Sequence, residues 1–161
     1  MVRIAVRSFI VALFVAFAGS QVVMAQEWKN IVPLVSTCSD VKKLLNVAEC
    51  AHPWMKYETP KYDIYVDFIT DKNKWNVSDD TVEGVHVVFH ELVRLGDFET
   101  DLKDYSIRRE DDVPEISIYK NDKKGISLSV QTGIAEGSYI SSIFIYPSQD
   151  NRNRFKCKPS H

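Results

Sequence analysis

Residues 62–68 read Tyr-Asp-Ile-Tyr-Val-Asp-Phe, and this stretch decides the fold class. Apolar or aromatic side chains stand at positions 62, 64, 66 and 68, while Asp63, Tyr65 and Asp67 fill the positions between them. A period of two is typical of a β-strand that buries one of its faces. The stretch therefore predicts a strand in a sheet that has one covered face.

The same alternation recurs on both sides of this strand. The sequence predicts strands at residues 55–59, 62–68, 81–89, 116–120, 125–130 and 139–146. Before them, Thr37 and Asp40 supply a helix cap and a first-turn carboxylate, and the apolar stripe that follows predicts a helix over residues 39–47. A second helix is predicted near residues 100–105.

These elements indicate an α+β fold in which short helices pack on an antiparallel sheet. Residues 36–90 and 97–147 each read as helix, hairpin and third strand, so a tandem αβββ repeat is one interpretation. The alternative is that two unrelated β-meanders share a period of two. Residues 26–161 have the length of a single domain in either case.

Residues 1–25 predict a secretory signal peptide. Arg3 and Arg7 form a basic start, residues 10–18 are apolar without interruption, and residues 23–25 place small side chains at a cleavage site. The apolar run falls short of the roughly 20 residues that a membrane-spanning helix needs, and no cysteine follows it to accept a lipid. We therefore expect a secreted or periplasmic protein with no membrane span after signal removal.

The charge balance argues against nucleic acid as a partner. The chain carries 20 basic and 22 acidic residues, and loss of Arg3 and Arg7 with the signal makes the net charge still more negative than −2. A nucleic-acid-binding domain normally shows a basic excess. The short basic run at residues 151–158 is interpreted as a solvated C-terminal tail.

The cysteines Cys38, Cys50 and Cys157 predict one disulfide and one leftover thiol in an oxidising compartment. The predicted helix would hold Cys38 and Cys50 about 15 Å apart, whereas bridged Cα atoms lie within about 7 Å. Cys157 is therefore predicted to be one half of the bridge. Cys50 is its preferred partner, and Cys38 is the alternative.

No motif predicts a catalytic residue, a metal ligand or a cofactor site. Residues 90–91 begin a zinc-protease pattern, but Arg94 stands where the second histidine is needed. His86 and His90 fall on a predicted strand, which separates them by about 13 Å. The chain is therefore predicted to be non-enzymatic. The alternative is a small secreted hydrolase, whose candidate residues would be His86, His90, Asp63 and Asp67.

The tryptophans suggest a surface for a protein partner. Trp28, Trp54 and Trp75 all fall outside the predicted strands. Exposed tryptophans are favoured at interfaces because each buries a large area at a small entropic cost. We interpret the three as residues that cap the ends of a small core; the alternative is that they are contact residues for a partner.

Residues 28–45 follow the pattern W-x-x-I-x-P-L-x-S-T-x-x-D-V-x-x-L-L. This opening resembles that of a group of uncharacterised secreted bacterial proteins. The resemblance continues at residues 75–77, 81–82, 119–125, 143–147 and 157. Those relatives tend to carry a cysteine in the loop after the second strand, where this chain has Lys72 and Lys74. The departure leaves the partner of Cys157 open.

The helix opening and the αβββ order are also similar to the fold of β-lactamase-inhibitor proteins and small outer-membrane-assembly lipoproteins. Members of that fold are binding modules, so the resemblance implies a protein-binding or envelope accessory role with a protein partner of unknown identity. The lipoproteins are anchored through an N-terminal cysteine, which this chain lacks.

Overall fold

The computed structural model describes residues 27–98, 101–110, 113, 115–134 and 137–157, so the predicted signal peptide lies outside the described residues. Its main feature is one antiparallel sheet of seven strands. In chain order the strands are β1 (Trp54–Glu58), β2 (Tyr62–Phe68), β3 (Val82–Arg94), β4 (Ser106–Arg109), β5 (Ile116–Asn121), β6 (Ile126–Ile134) and β7 (Gly137–Ile145). Two α-helices, α1 (Cys38–Leu45) and α2 (Gln149–Phe155), stand before and after them. The predicted α+β class is confirmed.

The strands stand in the order β1-β2-β3-β7-β6-β5-β4, and all neighbours are antiparallel. Two meanders therefore meet where β3 pairs with β7, for example at Val87 opposite Ile143. A tandem αβββ repeat is not shown. In place of the second predicted helix the structure has one 3-10 turn at Leu102–Asp104, and residue 100 lies outside the described residues.

One face of the sheet is covered by α1 and by a 3-10 turn at Glu27–Asn30. The cap predicted for α1 is present, since the backbone N–H and the hydroxyl of Thr37 each donate to Oδ2 of Asp40 at 2.9 Å. This cap fixes where the helix begins and so places its apolar side on the sheet. The covered face includes the buried side chains Val41, Leu45, Ile64, Val66, Val85, Val87, Leu128 and Ile143.

Two strands in the middle of the chain and the C-terminal segment differ from the prediction. Strand β3 runs to Arg94, well beyond its predicted end, and the short edge strand β4 was not predicted. The basic run is not a solvated tail, because α2 forms there and Lys156 makes a β-bridge with Trp75. Phe155 also packs against a second small core that contains Trp75.

The disulfide joins Cys38 to Cys50, with their Cα atoms 6.0 Å apart, so the predicted pairing of Cys157 with Cys50 or with Cys38 is wrong. Helix α1 ends at Leu45, and Asn46 then takes the left-handed conformation (φ 53°) that ends many helices. The chain thus turns back, and Cys50 returns to the start of the helix. The prediction failed because it treated the segment between the two cysteines as straight. Cys157 is a free, partly exposed thiol.

Among the described residues, none of the helices has the length and apolar character needed to cross a bilayer.

Candidate functional site

The second face of the sheet is open, and within the described residues no helix packs on it. Strand register places one side chain from every strand in a row across this face. From edge to edge the row is Lys56, Tyr65, His86, Phe144, Ser127, Lys120 and Ser106. Three neighbouring members of this row carry rings, and they lie on the strands in the half of the sheet that begins at β1.

These rings belong to a larger group, which we call the aromatic patch. Its members are Trp54, Tyr65, His86, Phe144 and Tyr146. Ring centroids lie 6.1 Å apart from Tyr65 to His86, 6.1 Å from His86 to Phe144 and 5.9 Å from Phe144 to Tyr146. These separations fall in the range of favourable ring contacts, so each of these rings restricts the movement of its neighbour.

Two members of the aromatic patch are strongly exposed. Trp54 has 54% of its surface accessible and Phe144 has 41%. Both belong to strands on which the adjacent side chains point into the core, as Met55 and Ile143 do, which are nearly and fully buried. The exposure therefore follows from the strand alternation and not from disorder of the backbone. Large apolar side chains grouped in the open are a signature of binding surfaces.

A groove with a volume of about 480 Å³ runs along the aromatic patch. Trp54, Phe144 and Tyr146 line it, and Asp67 and Gly84 face each other across neighbouring strands at its base. Because Gly84 has no side chain, the ring of Phe144 rests against the backbone there. A Cβ on Gly84 would lie 3.3 Å from two carbons of that ring.

The charged side chains that line the groove are Asp67, Glu83 and Lys74. Glu83 accepts hydrogen bonds from Nζ of Lys74 at 2.8 Å and from Nε1 of Trp75 at 3.0 Å. The carboxylate of Asp67 has no hydrogen bond or ion pair among the described residues. Loss of hydration, followed by the negative charge of Glu83, raises the pKa of Asp67, and His86 partly opposes this shift.

His86 and His90 lie on the same strand, as predicted, but in different surroundings. His86 stands between rings of the aromatic patch, and burial lowers its pKa. His90 has Nε2 3.0 Å from Oδ1 of Asp63 and Nδ1 3.2 Å from the carbonyl oxygen of Pro60. These two acceptors, Asp63 first, raise the pKa of His90.

The arrangement around His90 suits an ion pair better than a catalytic base. An imidazolium donates from both nitrogens, and both nitrogens of His90 face acceptors. Asp63 is also paired with Nζ of Lys56 at 2.9 Å, and that hydrogen bond is the main cause of its lowered pKa. The described residues hold no group of three or more His, Cys, Asp or Glu side chains that could bind a metal ion.

The three tryptophans have different roles. Only Trp54 is exposed; Trp75 is 6% exposed and Trp28 is 1% exposed. Trp28 and Trp75 therefore follow the interpretation as core residues, and Trp54 stays a candidate contact residue. Trp28 stacks on Phe98, and its Nε1 has no hydrogen-bond partner within the described residues.

The sequence interpretation missed Gly84, Phe144 and Tyr146. A signal for the last two was present, because Phe144 and Tyr146 alternate with Ile143 and Ile145 and so point away from the core. For Gly84 there was no comparable signal, since its role depends on the pairing of β3 with β7, which brings a ring from a distant part of the chain over it.

Comparison with protein-family models, with curated proteins and with solved structures finds no match to the chain. The resemblance of residues 28–45 to secreted bacterial proteins stays a prediction.

Proposed function

We propose that the chain is an exported, non-enzymatic protein-binding module, and that a partner protein docks on the open face of its sheet. The observation that carries this proposal is the aromatic patch, with Trp54 and Phe144 exposed on a face that no described helix covers. Aromatic side chains supply much of the binding energy at protein interfaces because they desolvate a large area.

The geometry of the aromatic patch supports this role. Tyr65, His86 and Phe144 stand on paired strands of the seven-stranded sheet, and these three rings and that of Tyr146 each contact a neighbouring ring at about 6 Å. Binding to such a surface costs little conformational entropy, because the side chains are already restricted before the partner arrives. A flat sheet face also fits the broad, shallow surfaces that proteins present to each other better than it fits a small substrate.

Two features favour an exported protein. Residues 1–25 have the order of basic, apolar and small residues found in secretory signals. The disulfide between Cys38 and Cys50 is of a kind that persists in oxidising compartments. Together with the resemblance to secreted binding modules, these features support a location in the periplasm or outside the cell.

Photo-crosslinking in the producing cell tests the proposal. A photoreactive phenylalanine replaces Trp54 in one variant and Ile107 in a matched control, because Ile107 is 61% exposed but belongs to the opposite face of the sheet. We expect a discrete adduct from position 54 that Phe144→Ser in the same chain abolishes, and none from position 107. Equal adducts from both positions, no adduct from position 54, or an adduct that Phe144→Ser leaves unchanged would overturn the proposal.

A further inference from the structure

The groove beside the aromatic patch has the chemistry of a side-chain receptor. Resting on the protein-binding role proposed above, we propose that this groove receives an arginine side chain of the partner. The guanidinium would lie against the rings of Trp54 and Phe144 and pair with the carboxylate of Asp67. Three features of the groove carry the inference. These are the space left by Gly84, the carboxylate of Asp67 without an ion-pair partner among the described residues, and the rings of Trp54 and Phe144 without a described cation over them.

The floor of the groove exists because of Gly84. A side chain at this position would point into the groove from the open face, directly across from Asp67 in the register of β2 and β3. Without it, the ring of Phe144 lies close to the backbone of Gly84, and Asp67 and Phe144 line the same open groove. A long, unbranched side chain can therefore reach the carboxylate from solvent.

The two carboxylates of the groove, Glu83 and Asp67, differ in their hydrogen bonds and ion pairs. Glu83 is held by Lys74 and Trp75, so its charge is already balanced. Asp67 has no such partner within the described residues. The side chain of Asp67 is exposed, yet loss of hydration, followed by the negative charge of Glu83, disfavours its ionised form and raises its pKa. A cation at this place would relieve that cost, which makes the groove selective for positive charge.

The rings of the molecule show which faces are free to receive a cation. Lys56 lies over Tyr65 at 5.6 Å, Lys74 over Trp75 at 5.1 Å, and Lys120 over Tyr146 at 5.4 Å. Among the described residues, no cation lies over Trp54 or Phe144, the two most exposed rings of the aromatic patch. Within the aromatic patch, Tyr65 and Tyr146 thus have cations of the chain itself over their rings, Arg152 also lying 5.9 Å from Tyr146, whereas Trp54 and Phe144 have none among the described residues.

Arginine fits this arrangement better than lysine. A guanidinium is planar, so it can lie flat on a ring and still offer a forked edge to a carboxylate, whereas an ammonium is a compact and strongly hydrated charge. The groove supplies rings on its walls and a carboxylate at its base, which is the geometry a guanidinium can use. The partner is therefore a protein that presents an exposed arginine.

The test uses the exported protein, purified with its disulfide intact, and three small probes. These are the N-acetyl methylamides of arginine, of citrulline and of lysine. Citrulline is the neutral near-isostere of arginine and isolates the role of charge. Binding is followed through the indole signal of Trp54 and the amide signals of Gly84 and Phe144 in nuclear magnetic resonance titrations. We expect arginine to bind about tenfold more tightly than citrulline, and lysine to bind more weakly than arginine.

Asp67→Asn should remove the preference for arginine over citrulline, while the matched control Asp97→Asn, at an exposed site in another part of the chain, should keep it. Equal binding of arginine and citrulline to the unaltered protein overturns the proposal, and so does binding of lysine at least as tight as that of arginine. If Asp67→Asn disturbs the fold, the relative affinities of the three probes for the unaltered protein still test the proposal. If the unaltered protein shows no preference for arginine while the crosslink from position 54 still forms, this inference fails and the protein-binding role stands.

Discussion

The ring of Phe144 lies against Gly84, and two of its carbons come within 3.3 Å of the place where a Cβ on Gly84 would stand. The two residues are far apart in the sequence and meet because β7 returns to pair with β3. This contact forms part of the lining of the groove. It also restricts the tilt of the Phe144 ring, which is 41% exposed. It therefore links the packing of the sheet to the proposed binding surface.

Gly84→Ala should narrow the groove with little effect on stability. The ring of Phe144 is partly exposed and can tilt away, while the loss of glycine from a strand contributes roughly 0.5–1 kcal/mol in favour of folding. We expect the free energy of unfolding to change by less than about 1 kcal/mol in urea denaturation, and the arginine probe to bind more weakly. Gly137→Ala is the matched control, because its Cβ would also meet a ring, that of Tyr139, at 3.2 Å. If Gly84→Ala binds the arginine probe with unchanged affinity, the probe binds outside the groove.

Gly125→Ala should destabilise the fold strongly. Gly125 has φ +70°, and a Cβ there would lie 2.2 Å from the carbonyl oxygen of Tyr146 and 2.7 Å from the backbone nitrogen of Ser148. Both contacts are with backbone, so no side-chain movement can relieve them, and we expect a loss of about 3 kcal/mol or more in urea denaturation. Gly96→Ala has no atom within 4 Å of its Cβ and should be neutral. A similar result for the two variants would contradict this account of the β5–β6 turn.

The fold was predictable wherever a local pattern determines it. Strand β2 matches its predicted bounds because its apolar and polar residues alternate strictly. Helix α1 begins at the cap that Thr37 and Asp40 form. The order of the strands was not predictable, because the pairing of β3 with β7 brings together residues 45 to 60 positions apart, from Arg94 with Tyr139 to Val85 with Ile145. Strand β4 is a short edge strand whose residues are all exposed, so it carries no burial pattern in the sequence.

The candidate site was predictable only in part, for a related reason. Trp54, Trp75 and Trp28 look alike in the sequence, since each lies outside a strand pattern. Burial separates them, and burial depends on distant segments: Trp75 is covered through its bridge to Lys156, and Trp28 by Phe98. The disulfide was missed because one residue, Asn46, reverses the chain after α1.

Removal of the disulfide should cost about 3 kcal/mol. Cys38 and Cys50 are 12 positions apart, and a bridge that closes a loop of this size restricts the unfolded chain by roughly that amount. We expect the double variant Cys38→Ser with Cys50→Ser to show this loss in urea denaturation under non-reducing conditions. Cys157→Ser should stay within about 0.5 kcal/mol of the unaltered protein, since its thiol is free and partly exposed. Equal losses would indicate that Cys157 takes part in a bridge in solution.

A second disulfide can be introduced at the loop between β2 and β3. The backbone N–H of Cys157 donates to the carbonyl oxygen of Lys74 at 3.3 Å, and its Sγ lies 3.8 Å from that of Lys72. Lys72→Cys should therefore bridge to Cys157, which thiol titration would report as the loss of the single free thiol. Lys61→Cys, in the turn before β2, should leave two free thiols. Two free thiols in oxidised Lys72→Cys would contradict the placement of Cys157 against this loop.

The pair formed by His90 and Asp63 should make stability depend on pH. The pKa of His90 is raised above its ordinary value of 6.5, first by the hydrogen bond to Asp63. The folded chain then holds the proton more tightly than the unfolded chain, so the stabilisation is complete below the ordinary pKa and is lost as pH rises through the folded value.

His90→Gln should therefore cost more stability at about pH 5.5 than at about pH 8.5. Urea denaturation at both values measures the difference, and the ring signals of His90 report its folded pKa directly. His86→Gln supplies a control of opposite sign, because burial lowers the pKa of His86 and its ionisation at low pH opposes folding. The deficit of His86→Gln should therefore shrink as pH falls. A deficit of His90→Gln that is the same at both pH values would show that the ion pair with Asp63 does not form in solution, and would leave Lys56, among the described residues, to balance this carboxylate.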